Sequence, residues 1–207
     1  MVSQKSSAPA VEPKRQRGRD RVAAILDAAA VVFTAKGYEG ATMTEVAALA
    51  GAAIGSLYRF FPTKEALADA LVARYGASLV NAFAEIEQKA AELTPPDLAD
   101  ALIEVMQGHE PARSAAIELT DARADAVEVR TTLRGAVRAA IAGIVAKMAP
   151  RLPSRDAQAA ATLLLHVLKS LRNLPRGEDG ADARLALEAR ALVARYIAGL
   201  ENEPETA

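Results

Sequence analysis

Apolar residues return every three or four positions along most of this chain, and no stretch shows the two-residue alternation of a half-buried strand. Val22, Ile25, Leu26, Ala29, Val32 and Phe33 mark a first helix over about residues 19–36, with Gly37 as its stop. Thr42 with Glu45 three residues on forms a capping box and predicts a second helix over about 43–50. Gly51 suits a left-handed turn, and a short third helix follows over about 53–60. Pro62-Thr63-Lys64-Glu65 breaks the chain and recaps it at Thr63, which opens a long fourth helix to about residue 90.

Five more helices are predicted beyond it. Thr94-Pro95-Pro96-Asp97 opens one over about 96–107, ended by Gly108, and Pro111 begins another to about residue 121. A longer helix over about 125–148 carries Val129, Leu133, Val137, Ile141, Ile144, Val145 and Met148 on one side until Pro150 and Pro153 end it. The last two span about 154–173 and 181–200. Residues 1–17 and the polar tail at 202–207 have little to bury. The expected fold is all-α, about nine helices, with a head over residues 18–65 and a larger body over 66–201.

Composition sharpens this. Hydrophobic residues make up 51% of the chain but aromatics only 4%, so alanine supplies much of the apolar count and favours helices. No apolar run reaches the roughly 20 residues that span a bilayer, and the N-terminus lacks the apolar core of a signal peptide. The expected location is the cytoplasm, with no membrane partner. Zero cysteine excludes disulfides, thiolate metal sites and Cys nucleophiles. Charge is uneven: residues 1–75 hold ten Lys/Arg against seven Asp/Glu, and residues 76–207 fifteen against nineteen. Lys14, Arg15, Arg17, Arg19 and Arg21 crowd the entry to the first helix. They form either a solvated basic tail or an arm that reaches phosphates or a minor groove.

Residues 42–67 set out a short helix, a turn at Gly51, a second short helix and the capped start of a third. That is the layout of a helix-turn-helix, which places one helix in the DNA major groove. Residues 19–67 resemble the DNA-binding domain of the TetR family of transcriptional regulators. The resemblance rests on Ala28–Gly37, Thr42, Val46-Ala47, Ala50-Gly51, Gly55-Ser56-Leu57-Tyr58, Phe61 and Lys64-Glu65-Ala66-Leu67. It covers about a quarter of the chain; the body matches in length and helix count only.

The resemblance implies that the third helix is the recognition helix, with Ala53, Ile54 and Ser56 as candidates to face base edges. Ser56 fits a base or a phosphate, and Ile54 or Ala53 a thymine methyl. Gly55 is either a tolerated helical glycine or a point of close approach to DNA. Ala53 stands where the family often caps this helix with Ser or Thr. Tyr58 is expected to offer its hydroxyl to phosphate while its ring packs on the head. Arg59 is a phosphate contact or a plain surface charge. Thr42 and Thr44, at the start of the second helix, are expected to bind phosphate. Lys64 resembles the family's phosphate-binding lysine; a nearby phosphate would explain a cation in the first turn of a helix, where the macrodipole disfavours it. Phe60, Phe61, Leu57, Val46, Leu49, Ile25 and Phe33 are expected to be core.

For the body the resemblance implies an effector site and a dimer interface. Ligand-binding candidates on apolar faces are Phe83, Ile86, Ile103, Met106, Ile117, Leu133, Val137, Ile141, Leu164 and Leu168, each equally at home in an ordinary core. His109 is either structural or a polar anchor for the effector. Ala159, Leu163, Val167, Leu171, Leu187, Leu192, Val193 and Tyr196 on the last two helices are the dimer candidates. Only His109 and His166 are available as imidazoles, with no metal-binding spacing. No catalytic residue, metal or cofactor is expected, and a helical enzyme is disfavoured. The expectation is therefore a homodimeric repressor on a palindromic double-stranded operator, released by a small apolar or amphipathic effector. Its rival is a helical ligand- or partner-binding protein that no longer binds specific DNA.

Overall fold

The structure, a computed structural model, describes residues 16–108, 112–122, 127–171 and 181–201. Among these residues there are nine helices and no strand. They are α1 (Gln16–Gly40), α2 (Met43–Leu49), α3 (Ile54–Phe60), α4 (Lys64–Lys89), α5 (Pro95–Gln107), α6 (Ala112–Ala122), α7 (Val127–Met148), α8 (Ser154–Leu171) and α9 (Ala181–Glu201). None of the described helices is long and apolar enough to cross a membrane. His109, Lys14 and Arg15 lie outside the described residues.

Two compact units are present. The first comprises the chain up to Tyr75 together with residues 109–132, and the second comprises 76–108 and 133 onward. Helix α6 packs against α1 within the first unit.

In the first unit, Ile25, Ala29 and Phe33 of α1 are buried with Val46 and Ala47 of α2, Leu57 and Phe60 of α3, and Leu67 and Leu71 of α4. Gly37 interrupts α1 at φ 70°, ψ 171°, a region essentially open to glycine alone. A Cβ there would also meet the Glu118 carboxylate of α6 at 2.9 Å. One prediction for this core fails: Leu49 is 56% exposed. Met43, Val46 and Ala47 follow the i, i+3, i+4 spacing of one buried face, and Leu49 falls off it.

In the second unit, α5 packs on α8 and α9. Phe83, Ile86, Leu98, Leu102, Ile103, Ile141, Leu164, Leu168, Val193 and Ile197 form its apolar interior. Glycines set two close approaches: a Cβ on Gly76 would meet Leu133 Cδ1 at 2.6 Å, and one on Gly143 would meet the Glu87 carboxylate at 2.8 Å. Arg190 Nη1 donates to Asp100 Oδ1 at 2.9 Å, tying α9 to α5 at the surface.

Candidate nucleic-acid interface

The second helix is capped as its sequence predicts. Thr42 is extended, its Oγ1 accepts from Glu45 N at 3.3 Å, and Glu45 Oε2 accepts from Thr42 N at 3.1 Å. Lys36 of α1 pairs with the same carboxylate through Oε1. Its bond to Lys36, then the Thr42 hydroxyl, holds the Glu45 carboxyl below its ordinary value. Both Thr42 and Thr44 are exposed at this helix start.

The turn between α2 and α3 closes with two backbone bonds: Ala52 N donates to Ala47 O at 2.9 Å and Gly51 N to Ala48 O at 3.2 Å. With Gly51 at φ 57°, this is a Schellman ending. Arg21 of α1 then donates from Nη1 to Gly51 O at 3.1 Å, which fastens the turn to the first helix. Its local sequence places Arg21 only in the basic run, and nothing there signals this partner 30 residues away.

Ala53 takes the cap position of α3 in an extended conformation with no side-chain bond. Leu57 and Phe60 face the core, so the helical period turns Ile54, Gly55, Tyr58 and Arg59 outward together, and all four are exposed. Ile54 is 42% and Tyr58 48% exposed, high for side chains of their size. Ala53 is exposed beside them, whereas Ser56 is half-buried at the edge of the inward face. Arg59 lies with its guanidinium 4.9 Å from the Phe60 ring centroid, in cation–π range, while its face remains open to solvent.

Lys64 has a partner that its sequence position did not reveal. Its Nζ donates to Tyr38 O at 2.8 Å and to Glu39 O and Ala41 O at 3.3 Å each, and sits 4.6 Å from the Tyr38 ring centroid. An ammonium has three N–H donors, and three carbonyls around the end of α1 take them. Those carbonyls supply the negative partner invoked to explain a cation in the first turn of α4. Thr63 Oγ1 accepts from Ala66 N at 3.1 Å, capping that same turn. Upstream, Arg17 and Arg19 are exposed on the first turn of α1, and Arg19 is bonded to Gln16 through Nε and Nη2.

The remaining candidates divide between the units. Phe83, Ile103, Met106, Val137, Ile141, Leu164 and Leu168 are all buried in the second unit, and Leu133 is half-buried against Gly76. Ile117 is half-buried on α6, in the first unit. On α8 and α9, Ala159, Leu163, Leu187 and Leu192 are exposed, and Val167, Leu171 and Tyr196 are half-buried. Val193 does not fit an interface: at 1% exposure in the single chain it has no surface left to bury, because it lies on the inward face of α9 with Ala189 and Ile197. Leu185, not singled out from sequence, is exposed on the same helix. His166 is exposed, and its Nδ1 lies 2.7 Å from Thr162 O one turn back.

A capped short helix, a Schellman turn and a second short helix with an outward face over a shared core define a helix-turn-helix domain. Residues 25–71 match the family described as bacterial regulatory proteins, tetR family. The chain is also 39% identical over 79 residues to the uncharacterized HTH-type transcriptional regulator YhgD of Bacillus subtilis (strain 168), a match spanning 38% of each protein. The fold extends further. A chain from Mesorhizobium loti MAFF303099, described as a TetR-family transcriptional regulator, superposes with a TM-score of 0.67 at 22% identity, covering 89% of this chain and 98% of that one. The multidrug binding protein EbrR, solved in complex with imidazole, superposes with a TM-score of 0.61 at 21% identity, covering 89% and 96%. Residues 25–71 thus match the DNA-binding domain of the TetR family, and the fold of the chain resembles that of solved TetR-family regulators.

Proposed function

We propose that this protein is a homodimeric, cytoplasmic transcriptional repressor that binds a near-palindromic DNA operator through α3 and leaves it when a small effector binds the helical body. The observation that carries the reading is the outward face of α3. Ile54, Gly55, Tyr58 and Arg59 are exposed together on a helix whose other side is buried in the core of the first unit. A short helix with so open a face matches what a major groove admits. Exposed Thr42, Thr44, Arg17 and Arg19 add hydroxyls and cations suited to phosphate contacts around it.

The apolar interior of the second unit, with Phe83, Ile103, Met106, Val137 and Ile141, favours an apolar or amphipathic effector over a phosphorylated one. The multidrug binding protein EbrR, a neighbour in fold, was also solved in complex with malachite green. Helix α4 runs unbroken from Lys64 to Lys89, beginning in the first unit and ending in the second. A shift of this helix on effector binding would alter the spacing of two recognition helices, which successive major grooves fix at about 34–36 Å.

An electrophoretic shift on the DNA upstream of the protein's own gene tests the reading. A complex that survives unrelated competitor DNA and is weakened by added effector supports it. Absence of a shift even at low salt would instead favour a helical ligand-binding protein without DNA recognition.

A further inference from the structure

The polar atoms on the outward face of α3 are unevenly placed. They begin with the Tyr58 hydroxyl and the Arg59 guanidinium, four and five residues beyond Ile54. The first turn offers only Ile54, with Ala53 before it and Gly55 after it, all exposed. Nothing lies within 4 Å of where a Gly55 Cβ would be, so the surface beside Ile54 is open. In helix-turn-helix complexes it is the N-terminal residues of this helix that reach base edges. Here those residues carry no hydrogen-bonding side chain. Ser56, the nearest one that does, is half-buried at the edge of the inward face.

We propose that the first turn of α3 reads DNA by apolar contact, with Ile54 packing on the C5-methyl of a thymine and Ala53 closing over it. The inference rests on the DNA-binding reading above and names the base chemistry it selects. Two effects act in the same direction. A thymine methyl is the one apolar group that the major-groove edges display. An isoleucine set against a cytosine amino group or a guanine O6 would instead strip water from it without returning a hydrogen bond. The setting favours DNA over an apolar protein surface as the occupant. Tyr58 and Arg59 share the exposed face of α3 with the isoleucine, and exposed Thr42 and Thr44 stand at the start of α2; these cationic and hydroxyl groups complement a phosphate backbone.

The test uses the full-length protein and duplexes selected by it from a random library. In the selected sequence each thymine is replaced in turn by 2′-deoxyuridine, which removes the methyl and leaves every base-pairing atom in place. Loss of one buried methyl is expected to weaken binding about fourfold at one particular position of a half-site, judged from the transfer value of a single CH2 group. In I54A that penalty should shrink to within the measurement error, while the salt dependence of binding stays unchanged. In I54Q the preferred base at the same position should move towards adenine. Circular dichroism confirms that each variant is folded. Equal binding of all deoxyuridine duplexes by the wild type, or a penalty that persists in I54A, would overturn the methyl inference alone. Failure to select any sequence would overturn it together with the DNA-binding reading.

Discussion

At the scale of the residue, Lys64 shows how a tertiary partner changes the meaning of a side chain. Its three N–H groups are satisfied by carbonyls around the end of α1, and Tyr38 supports it further by donating its hydroxyl to Glu65 Oε1 at 3.1 Å. Replacement by methionine keeps the stem but leaves part-buried carbonyls without their donor. Lys64→Met should therefore lower the unfolding free energy by about 1–3 kcal/mol, measurable by urea titration. An unchanged midpoint would contradict the structural role. Gly37 makes a second residue-level case. Gly37→Ala should cost about 1–3 kcal/mol through its backbone conformation alone, with crowding against Glu118 adding to it. Gly37 was legible in the sequence as a helix stop because that signal is local. The Lys64 partners were not, since Tyr38, Glu39 and Ala41 are brought to it only by the folding of α1 against α4.

At the scale of the element, most boundaries were legible because they depend on caps. Thr42 with Glu45, Gly51, Thr63 and Thr94 all stand where their sequence context predicts a start or a stop. Thr42→Ala removes one half of the capping box and should destabilise the head by about 1 kcal/mol in thermal or urea unfolding. The partner carboxylate adds a pH dependence whose sign is fixed by its environment. Glu45 has its folded pKa lowered by Lys36 and Thr42, so its contribution is fully present above its unfolded value, about 4.3, and is lost as pH falls through the lower folded value. The stability difference between wild type and Glu45→Gln should be flat from neutral pH down to about 5 and then shrink on further acidification. A difference that grows below that pH would contradict the assignment. What local signals could not supply is the company an element keeps. The apolar faces of α6 predict a helix, but not that it joins α1 in the first unit. The spacing of Val193 marks it as apolar without saying which of two faces turns inward.

At the scale of the whole molecule, α8 and α9 carry four of the large exposed apolar side chains, Leu163, Leu185, Leu187 and Leu192, and Leu187 is 67% exposed. A two-fold interface built from them is self-complementary, so one substitution acts twice. Leu163→Glu with Leu192→Glu should convert a dimer to monomer in light scattering at micromolar concentration. Operator affinity should fall with it, because two linked heads bind far more tightly than one. A double variant that remains dimeric would move the interface elsewhere.

On the proposed reading, the outward face of α3 recognises a particular DNA sequence. Fluorescence anisotropy compares the full-length protein on a duplex selected from a random library and on a scrambled duplex of the same composition, at one physiological salt concentration. The selected duplex should bind about a thousandfold or more tightly than the scrambled one; Ile54→Ala should narrow that ratio severalfold, while Arg59→Ala weakens both duplexes alike. Equal affinity for the two duplexes, or a ratio unaffected by Ile54→Ala, would contradict it.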